Sequence, residues 1–328
     1  MSAIDSVMPP GAFCAAFPWW GGDLQTLRNK FIRPSLQLPG RSERLLLTMK
    51  DGSGDRLSAV LNHPEPTASR PLIVLIHGLT GDEDSDYVVR SAAFYLKRNH
   101  PVLRLNLRGA GPSRATCGGH YHSGCAKDLR DALLALDENL VANGICLVGY
   151  SLGGNILINF LARRELDLDV RGAVAVSPAI QAAAATKRIM EPRNALYHRW
   201  LLRQMKRECL APGAELDVIE RQAILCARTI YEFDDTFTAP RNGFKDADDY
   251  YARTAGWMVA PKIGVPTLLI HARNDPWIPV TPFDDLHRQN LEKLTVVISH
   301  SGGHVGFHAQ GSQETWHDRC AEVFLSTL

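Results

Sequence analysis

The sequence lacks paired cysteine motifs, long apolar runs and an excess of charge of one sign. Its seven cysteines are scattered, odd in number and never spaced as C-x-x-C, which argues against a disulfide framework or a zinc site and favours reduced thiols in the cytoplasm. No stretch approaches the roughly 18 apolar residues of a membrane-spanning helix, and no basic segment followed by an apolar run indicates a signal peptide. The net charge of +1 gives no overall field that would attract nucleic acid.

The chain has the apolar content and the pattern of an α/β protein. Hydrophobic residues make up 45% of the 328 positions and charged residues 22%, which suffices for a large buried core. From residue 44, short strand-like runs alternate with helical ones, which predicts right-handed βαβ units in a mostly parallel sheet. The first two strands flank the turn sequence DGSG and are expected to form a hairpin. The predicted strands are 44–49, 57–61, 71–77, 102–107, 145–150, 170–176, 266–271 and 294–298, and the predicted helices are 85–98, 126–140, 154–164 and 315–325.

The strand pattern stops between residues 179 and 262. This stretch is rich in Ala, Arg, Leu and Glu at helical spacing and contains no convincing buried strand. A helical insertion in a doubly wound sheet is typical of a cap over the crevice at the strand ends. We therefore expect the first part of the core at 1–178, with an N-terminal extension at 1–43, a helical cap or lid at 179–264, and the remainder of the core at 265–328. In the extension, Phe17, Trp19 and Trp20 are expected to be packing residues, and membrane anchors are the alternative.

The strongest candidate for chemistry is Ser151, in the G-x-S-x-G pattern of residues 149–153. It lies where a predicted strand ends and a predicted helix follows, which is the placement of a nucleophile elbow. Flanking glycines are needed there because a sharp turn that projects the serine hydroxyl brings backbone segments close together. The alternative interpretation is a serine that caps a helix after a tight turn.

A second candidate element is the turn His77-Gly78-Leu79, which directly follows another predicted strand. The backbone amides of Leu79 and Leu152 are candidates for an oxyanion hole, which would stabilise a tetrahedral intermediate. His77 is expected to pack beneath this loop rather than to act as a base. With Asp82 it also fits the H-x-x-x-x-D pattern of some acyltransferases, a short match that we attribute to chance.

Two more candidate residues lie in the loops after the last two predicted strands. Asp275 can accept a hydrogen bond from a histidine Nδ1–H and so fix its tautomer, and His304, in a glycine-rich loop, can reach over the sheet towards Ser151. The chain order Ser, Asp, His is the order that accompanies a nucleophile elbow. Asp284 and Asp285 are weaker competitors, because they lie in what looks like the following helix.

Three histidines spaced by four residues raise the alternative of a zinc site: His300, His304 and His308. The glycines between them argue against a helix that would stack the imidazoles, and no carboxylate ligand pattern accompanies them. We therefore expect no metal, and the acyl chemistry of a serine nucleophile requires no organic cofactor.

Seven segments together resemble the YheT-like branch of the α/β-hydrolase superfamily. They are HGLTGDEDSDY (77–87), RGAGPS (108–113), GYSLGGNI (149–156), YEFDDTFTAP (231–240), GFKDADDYY (243–251), ARNDPWIP (272–279) and GGHVG (302–306). The resemblance spans about residues 19–310 and implies an α/β-hydrolase fold, with a mostly parallel central sheet flanked by helices and a helical cap insertion. It also implies a serine esterase or lipid hydrolase whose triad is Ser151, Asp275 and His304. Where the family often reads GHLQT, this chain reads GDLQT (22–26), so no role of that histidine carries over.

Residues and resemblance together predict a carboxylic ester hydrolase that acts through an acyl-enzyme on Ser151. The expected partner is a small acyl ester, of short or medium chain length, or a lipid ester. Acyl transfer or thioester hydrolysis by the same triad is an alternative, and a lipid-binding protein without activity on this fold is another. The expected location is the cytoplasm. The basic segment 187–207 has Arg199, Arg203, Lys206 and Arg207 on one helical face. It either contacts an anionic lipid surface, guides an anionic lipid head group, or is a solvated helix that packs its apolar face on the sheet.

Overall fold

The computed structural model describes residues 11–32, 38–66, 69–163 and 168–328. Its strands are Ser42–Thr48 (β1), Arg56–Asn62 (β2), Leu72–Ile76 (β3), Val102–Leu105 (β4), Ile145–Tyr150 (β5), Val170–Val176 (β6), Thr267–Ala272 (β7) and Leu294–Ser299 (β8). They form one sheet in the order β1-β2-β4-β3-β5-β6-β7-β8. The β1–β2 and β2–β4 pairs are antiparallel, and every later pair in this order is parallel. The predicted hairpin and the predicted mostly parallel sheet are confirmed.

Helices flank the sheet and fill the long connection between β6 and β7. The helices before β6 are Gly22–Phe31 (α1), Asp86–Leu96 (α2), Ala126–Leu134 (α3), Glu138–Val141 (α4) and Leu152–Leu161 (α5). Those between β6 and β7 are Ala182–Ile189 (α6), Ala195–Cys209 (α7), Val218–Cys226 (α8), Ile230–Phe233 (α9), Ala239–Arg241 (α10), Ala247–Arg253 (α11) and Gly256–Val259 (α12). The last two are Thr281–Gln289 (α13) and Trp316–Leu325 (α14). Across the described ranges, no helix has the length and apolar character needed to cross a membrane.

The sheet is buried on both faces, which explains the continuous apolar runs of its central strands. In β3, the side chains of Leu72, Val74 and Ile76 belong to one core cluster, whereas Ile73 and Leu75 belong to another. All five are completely buried. Because successive side chains of a strand point to opposite faces, a strand covered on both sides favours apolar residues at every position.

Two predicted helix boundaries are wrong. The helix expected at 126–140 is interrupted, because the Asp137 side chain accepts a hydrogen bond from the amide of Asn139 and caps a new helix, α4. Such local capping competes with helix continuation. The helix expected to begin at Gly154 starts two residues earlier, at Leu152, immediately after Ser151.

The N-terminal extension contains a helix that the pattern did not predict, α1. The expected packing of its aromatic residues is also wrong for two of three: Phe17 is 75% exposed and Trp20 is 61% exposed, whereas Trp19 is half-buried. Trp19 stacks on Phe31 of α1, with ring centroids 6.4 Å apart.

The connection between β6 and β7 has an apolar cluster of its own. Buried side chains of α7, α9 and the π-helical turn that follows α9 form it, including Leu201, Met205, Phe233 and Phe237. This cluster is separate from the two that cover the sheet. We refer to residues 179–264 as the cap segment.

Candidate active site

Ser151 occupies a sharp turn between β5 and α5. Its backbone has φ 50° and ψ −117°, a left-handed conformation that costs a non-glycine residue free energy and is found mainly at functional sites. The neighbouring glycines are required by space. A Cβ on Gly149 would lie 2.7 Å from the Gly153 carbonyl oxygen, and a Cβ on Gly153 would lie 2.3 Å from that of His77. The turn therefore presents the serine hydroxyl at the carboxyl end of the sheet.

A continuous hydrogen-bond chain joins Ser151, His304 and Asp275. The Ser151 Oγ lies 2.9 Å from His304 Nε2, and His304 Nδ1 lies 2.8 Å from Asp275 Oδ2. Ser151 follows β5, Asp275 follows β7 and His304 follows β8, so the ends of three parallel strands bring the groups together. An imidazole that donates Nδ1–H to the carboxylate leaves Nε2 free to accept the serine proton.

Both oxygens of the Asp275 carboxylate accept hydrogen bonds in this arrangement. Its other oxygen, Oδ1, accepts hydrogen bonds from the amides of Trp277 and Ile278 at 2.8 and 2.9 Å. Burial acts to raise the pKa of Asp275, but the charge interaction and hydrogen bond with His304 outweigh it and hold the pKa below its ordinary value. The Trp277 ring packs 4.5 Å from the His304 ring. Asp275 is thus held as an anion facing the imidazole.

The weaker candidates of the sequence lie elsewhere or have other partners. The buried His77 ring is hydrogen-bonded to the Gly78 carbonyl oxygen through Nδ1 and accepts the Leu107 amide at Nε2, at 2.8 and 3.0 Å, so it packs beneath the loop. Asp284 pairs with Arg273 at 2.8 Å rather than with His304. Among the described residues, no group of three His, Cys, Asp or Glu side chains is placed to hold a metal ion.

The loop that carries Leu79 lies against Ser151. A Cβ on Gly78 would be only 3.1 Å from the Ser151 Cβ. Two tyrosine hydroxyls fix this loop on either side of Leu79. The Gly78 amide donates to Tyr87 Oη at 2.9 Å, and the Thr80 amide donates to Tyr121 Oη at 2.8 Å.

The other proposed oxyanion donor, Leu152, is the first residue of α5. Amides in the first turn of a helix have no helical acceptor, and the helix dipole favours negative charge at that end. Both amides named from the sequence therefore belong to segments that border Ser151.

The α1 helix holds the His304 loop, a function that the sequence interpretation missed. Thr26 Oγ1 accepts a hydrogen bond from the His304 amide at 2.8 Å. The buried Gln25 side chain accepts from the His308 amide at 2.8 Å and donates to its carbonyl oxygen at 3.1 Å. The approach is close: a Cβ on Gly303 would lie 2.4 Å from the Gly22 carbonyl oxygen. The sequence carried one signal for these contacts, the Gly-x-Leu-Gln-Thr string of residues 22–26.

A cavity of about 700 Å³ contains Ser151 and His304 in its wall. On the cap side its wall is mainly apolar and includes Ile189, Leu201, Met205, Ile230, Phe233 and Phe237. Two buried carboxyl groups interrupt this surface. Glu208 on α7 accepts a hydrogen bond from Tyr121 Oη at 3.0 Å, and Asp234 accepts one from Tyr251 Oη at 2.7 Å. Burial raises the pKa of Glu208 to about 7, although the Tyr121 hydrogen bond acts in the opposite direction. The cavity has the volume of a small-molecule site, and Ser151 and His304 lie in its wall.

Comparison with known proteins agrees with this architecture. Residues 73–322 match the model of the alpha/beta hydrolase family. The chain is 31% identical to YheT of Escherichia coli (strain K12) over 290 residues, which cover 87% of this chain and 83% of that protein. It is 28% identical to the monoacylglycerol lipase of Saccharomyces cerevisiae over 265 residues, covering 76% of this chain and 57% of the lipase. The solved structure of the Pyrococcus furiosus esterase Pf2001 superposes with a TM-score of 0.60 at 16% identity, covering 98% of this chain and 99% of that one.

These matches confirm the fold expected from the sequence, an eight-stranded, mostly parallel sheet flanked by helices. The family model covers more than half of the chain, and the similarity to YheT extends over most of it. The chain therefore belongs to the alpha/beta hydrolase family.

Proposed function

We propose that this chain hydrolyses carboxylic esters through an acyl-enzyme on Ser151. The observation that carries the proposal is the hydrogen-bond chain from Ser151 through His304 to Asp275, located in the wall of an apolar cavity. Relatives named as a monoacylglycerol lipase and a phospholipase support chemistry on ester bonds.

The reaction runs in two halves. His304 Nε2 accepts the Ser151 proton while Oγ attacks the ester carbonyl carbon, and the amides of Leu79 and Leu152 stabilise the oxyanion. The tetrahedral intermediate collapses as the imidazolium gives its proton to the departing alcohol, which leaves an acyl-serine. Water then attacks the acyl-serine by the same route, releasing the carboxylic acid and restoring the serine. The Asp275 anion stabilises the imidazolium in both halves.

The cap segment is the proposed determinant of acyl-chain selection. We propose a division into a core of residues 1–178 and 265–328 and a cap of residues 179–264, with the apolar cap side chains surrounding the acyl group. An apolar wall contributes about 0.8 kcal/mol for each methylene that it removes from water, so longer acyl chains gain affinity until the cavity is full. Short- to medium-chain esters or lipid esters are therefore the proposed substrates.

The proposed location is the cytoplasm. All seven cysteines are free thiols, and five of them are buried. Secreted proteins of oxidising compartments use cysteine pairs as disulfides, whereas reduced thiols are usual in the cytoplasm.

The test is hydrolysis of nitrophenyl esters of increasing acyl length, from acetate to palmitate. We expect Ser151→Ala to lose at least about a thousandfold in kcat, because removal of the nucleophile leaves only the oxyanion hole and binding. Ser326→Ala, which changes an exposed serine at the end of α14, is the matched control and should retain full activity. A fluorophosphonate probe should label the wild type and the control, but not Ser151→Ala.

Each other outcome selects a different function. Unchanged turnover in Ser151→Ala would contradict the serine mechanism. Faster turnover of acyl thioesters, or transfer of the acyl group to an added alcohol, would assign the same triad to a thioesterase or an acyltransferase. If the wild type shows no turnover and no labelling, the remaining function is that of a lipid-binding protein without activity.

A further inference from the structure

Side-chain contacts join α1 to α7 and to the turn that precedes α7, which lie in distant parts of the chain. Near the start of α1, Asp23 forms an ion pair with Arg193 at 2.9 Å and accepts a hydrogen bond from Tyr197 Oη at 3.1 Å. Near its end, Lys30 Nζ lies 4.8 Å from the centre of the Trp200 ring. The N-terminal extension and the cap segment therefore share one surface.

That surface carries an unusual number of exposed apolar side chains, which we call the rim patch: Phe17, Trp20, Leu24, Phe31, Leu196 and Trp200. Leu196 is 81% exposed and Phe31 is 69% exposed. Leu24 and Phe31 are seven residues apart, and Leu196 and Trp200 are four apart, so each pair projects from one side of its helix. Phe17 and Trp20 contact each other with ring centroids 5.1 Å apart. Exposed apolar side chains on two helices that are joined by side-chain contacts are typical of a binding surface.

The rim patch borders the cavity that contains Ser151. Lys30 and Trp200, which are in contact with each other, both line that cavity, as do Thr26 and Asn29 of α1. A molecule seated on the rim patch would thus lie beside the entrance to the candidate active site.

Basic side chains surround the rim patch. Arg199 and Arg203, one turn apart on α7, are exposed, as are Arg193 and Lys30. Three acids near this surface have basic partners: Asp23 pairs with Arg193, Asp84 with Arg104 and Asp86 with Arg90. Lys206 does not share this exposure, because its ammonium donates to the Leu225 carbonyl oxygen of α8. Aromatic and leucine side chains flanked by arginine and lysine match the interface of an anionic bilayer, where rings and aliphatic groups enter the head-group boundary and cations meet lipid phosphates.

We propose that the rim patch docks this protein on an anionic lipid bilayer, with the cavity entrance facing the membrane. The role of docking, delivery of a lipid ester to Ser151, rests on the proposed hydrolase function, whereas docking itself does not. The apolar side chains supply affinity for any lipid surface, and Arg199 and Arg203 supply the preference for anionic lipid.

The experiment measures co-sedimentation with vesicles of phosphatidylcholine alone and with vesicles of equal parts phosphatidylcholine and phosphatidylglycerol. All variants carry Ser151→Ala, so that turnover of lipid cannot change the vesicles, and thermal unfolding verifies the fold of each. The apolar variant is Trp20→Ser with Leu196→Ser, and the charge variant is Arg199→Glu with Arg203→Glu. The matched control is Val218→Ser with Ile219→Ser, which removes equally exposed apolar side chains at the start of α8, outside the rim patch.

We expect the parent protein to bind the mixed vesicles. The apolar substitutions should decrease its affinity for them by at least about tenfold. The charge substitutions should decrease the affinity for mixed vesicles by about twentyfold or more, at about fivefold for each arginine. They should change the affinity for phosphatidylcholine vesicles little. The control should bind like the parent protein. Absence of binding by the parent, or equal binding by the apolar variant, would overturn the proposal.

A second copy of the chain is the competing occupant. Sedimentation velocity distinguishes this occupant. If the parent protein is a dimer, the apolar variant is a monomer, and the parent does not bind vesicles, then the rim patch is a self-association surface and docking on lipid is refuted. Vesicle binding without hydrolysis of any nitrophenyl ester by the protein with Ser151 intact would support docking and contradict only the hydrolase proposal.

Discussion

Replacing Thr26 by valine should slow ester hydrolysis, although Thr26 is not one of the three residues proposed for the chemistry. Its hydroxyl accepts the His304 amide at 2.8 Å and donates to the Gly22 carbonyl oxygen at 2.7 Å. Valine keeps the shape of the side chain but removes both bonds. The His304 amide is then left in a buried position without its acceptor, which costs about 1–3 kcal/mol. If the loop moves so that this amide finds another acceptor, the imidazole loses its alignment with Ser151. A loss of about 1–3 kcal/mol of transition-state stabilisation corresponds to a decrease in kcat/KM of about 5- to 150-fold.

The assay compares Thr26→Val with Thr26→Ser on one nitrophenyl ester under saturating and limiting conditions. Because the imidazole acts in the transition state, kcat should decrease while KM stays near the wild-type value. Serine keeps the hydroxyl and should restore most of the activity. A folded valine variant with wild-type kcat/KM would refute the reasoning, and so would an equal loss in the serine variant, since that would implicate the methyl group.

Three further predictions concern stability. Burial raises the pKa of Glu208 from 4.5 to about 7, so this carboxyl group binds a proton more tightly in the folded state than in the unfolded state. Its contribution to the free energy of unfolding should decrease as pH rises from 4.5 to about 7, so the stability of the wild type relative to Glu208→Gln should decrease over that range in denaturation series. Gly153→Ala should destabilise the fold by about 3 kcal/mol, whereas Gly264→Ala, with no atom within 4 Å of the new Cβ, should be nearly neutral in the same denaturation assay. Arg108→Met should cost about 3–5 kcal/mol because it leaves buried carboxylates unpaired, whereas Arg171→Met, at an exposed ion pair, should cost less than about 1 kcal/mol in thermal unfolding.

The parts of the fold that could be predicted from sequence are those determined by residues that are close together in the chain. The central strands were predicted from apolar runs such as that of β3, since a strand covered on both faces favours apolar residues at every position. The glycines around Ser151 mark a crowded turn, and the strands before Asp275 and His304 end at the same edge of the sheet. The proximity of these three side chains was therefore expected, and the structure brings them within hydrogen-bonding distance.

The parts that could not be predicted depend on residues far apart in the chain. Gln25 contacts His308 across 283 positions, and no pattern within α1 specifies such a partner. Likewise, an aromatic residue in sequence does not reveal whether a neighbour covers it, which is why Phe17 and Trp20 were expected to pack and are exposed instead. The break at Asp137 is a different case, because capping and helix continuation differ by only about 1 kcal/mol there.

The contact between Thr26 and His304 also bears on how the molecule acquires activity during synthesis. It joins residues 278 positions apart, so the loop that it closes can form only after residue 304 has left the ribosome. Strand pairing in the middle of the sheet involves shorter loops and precedes this closure. The family model begins at residue 73, so a polypeptide trimmed to residues 73–322 would retain Ser151, Asp275 and His304 but would lose the helix that holds the histidine loop. Formation of this long-range contact is thus a late step in folding, and an activity measurement reports on that contact as well as on the presence of a folded sheet.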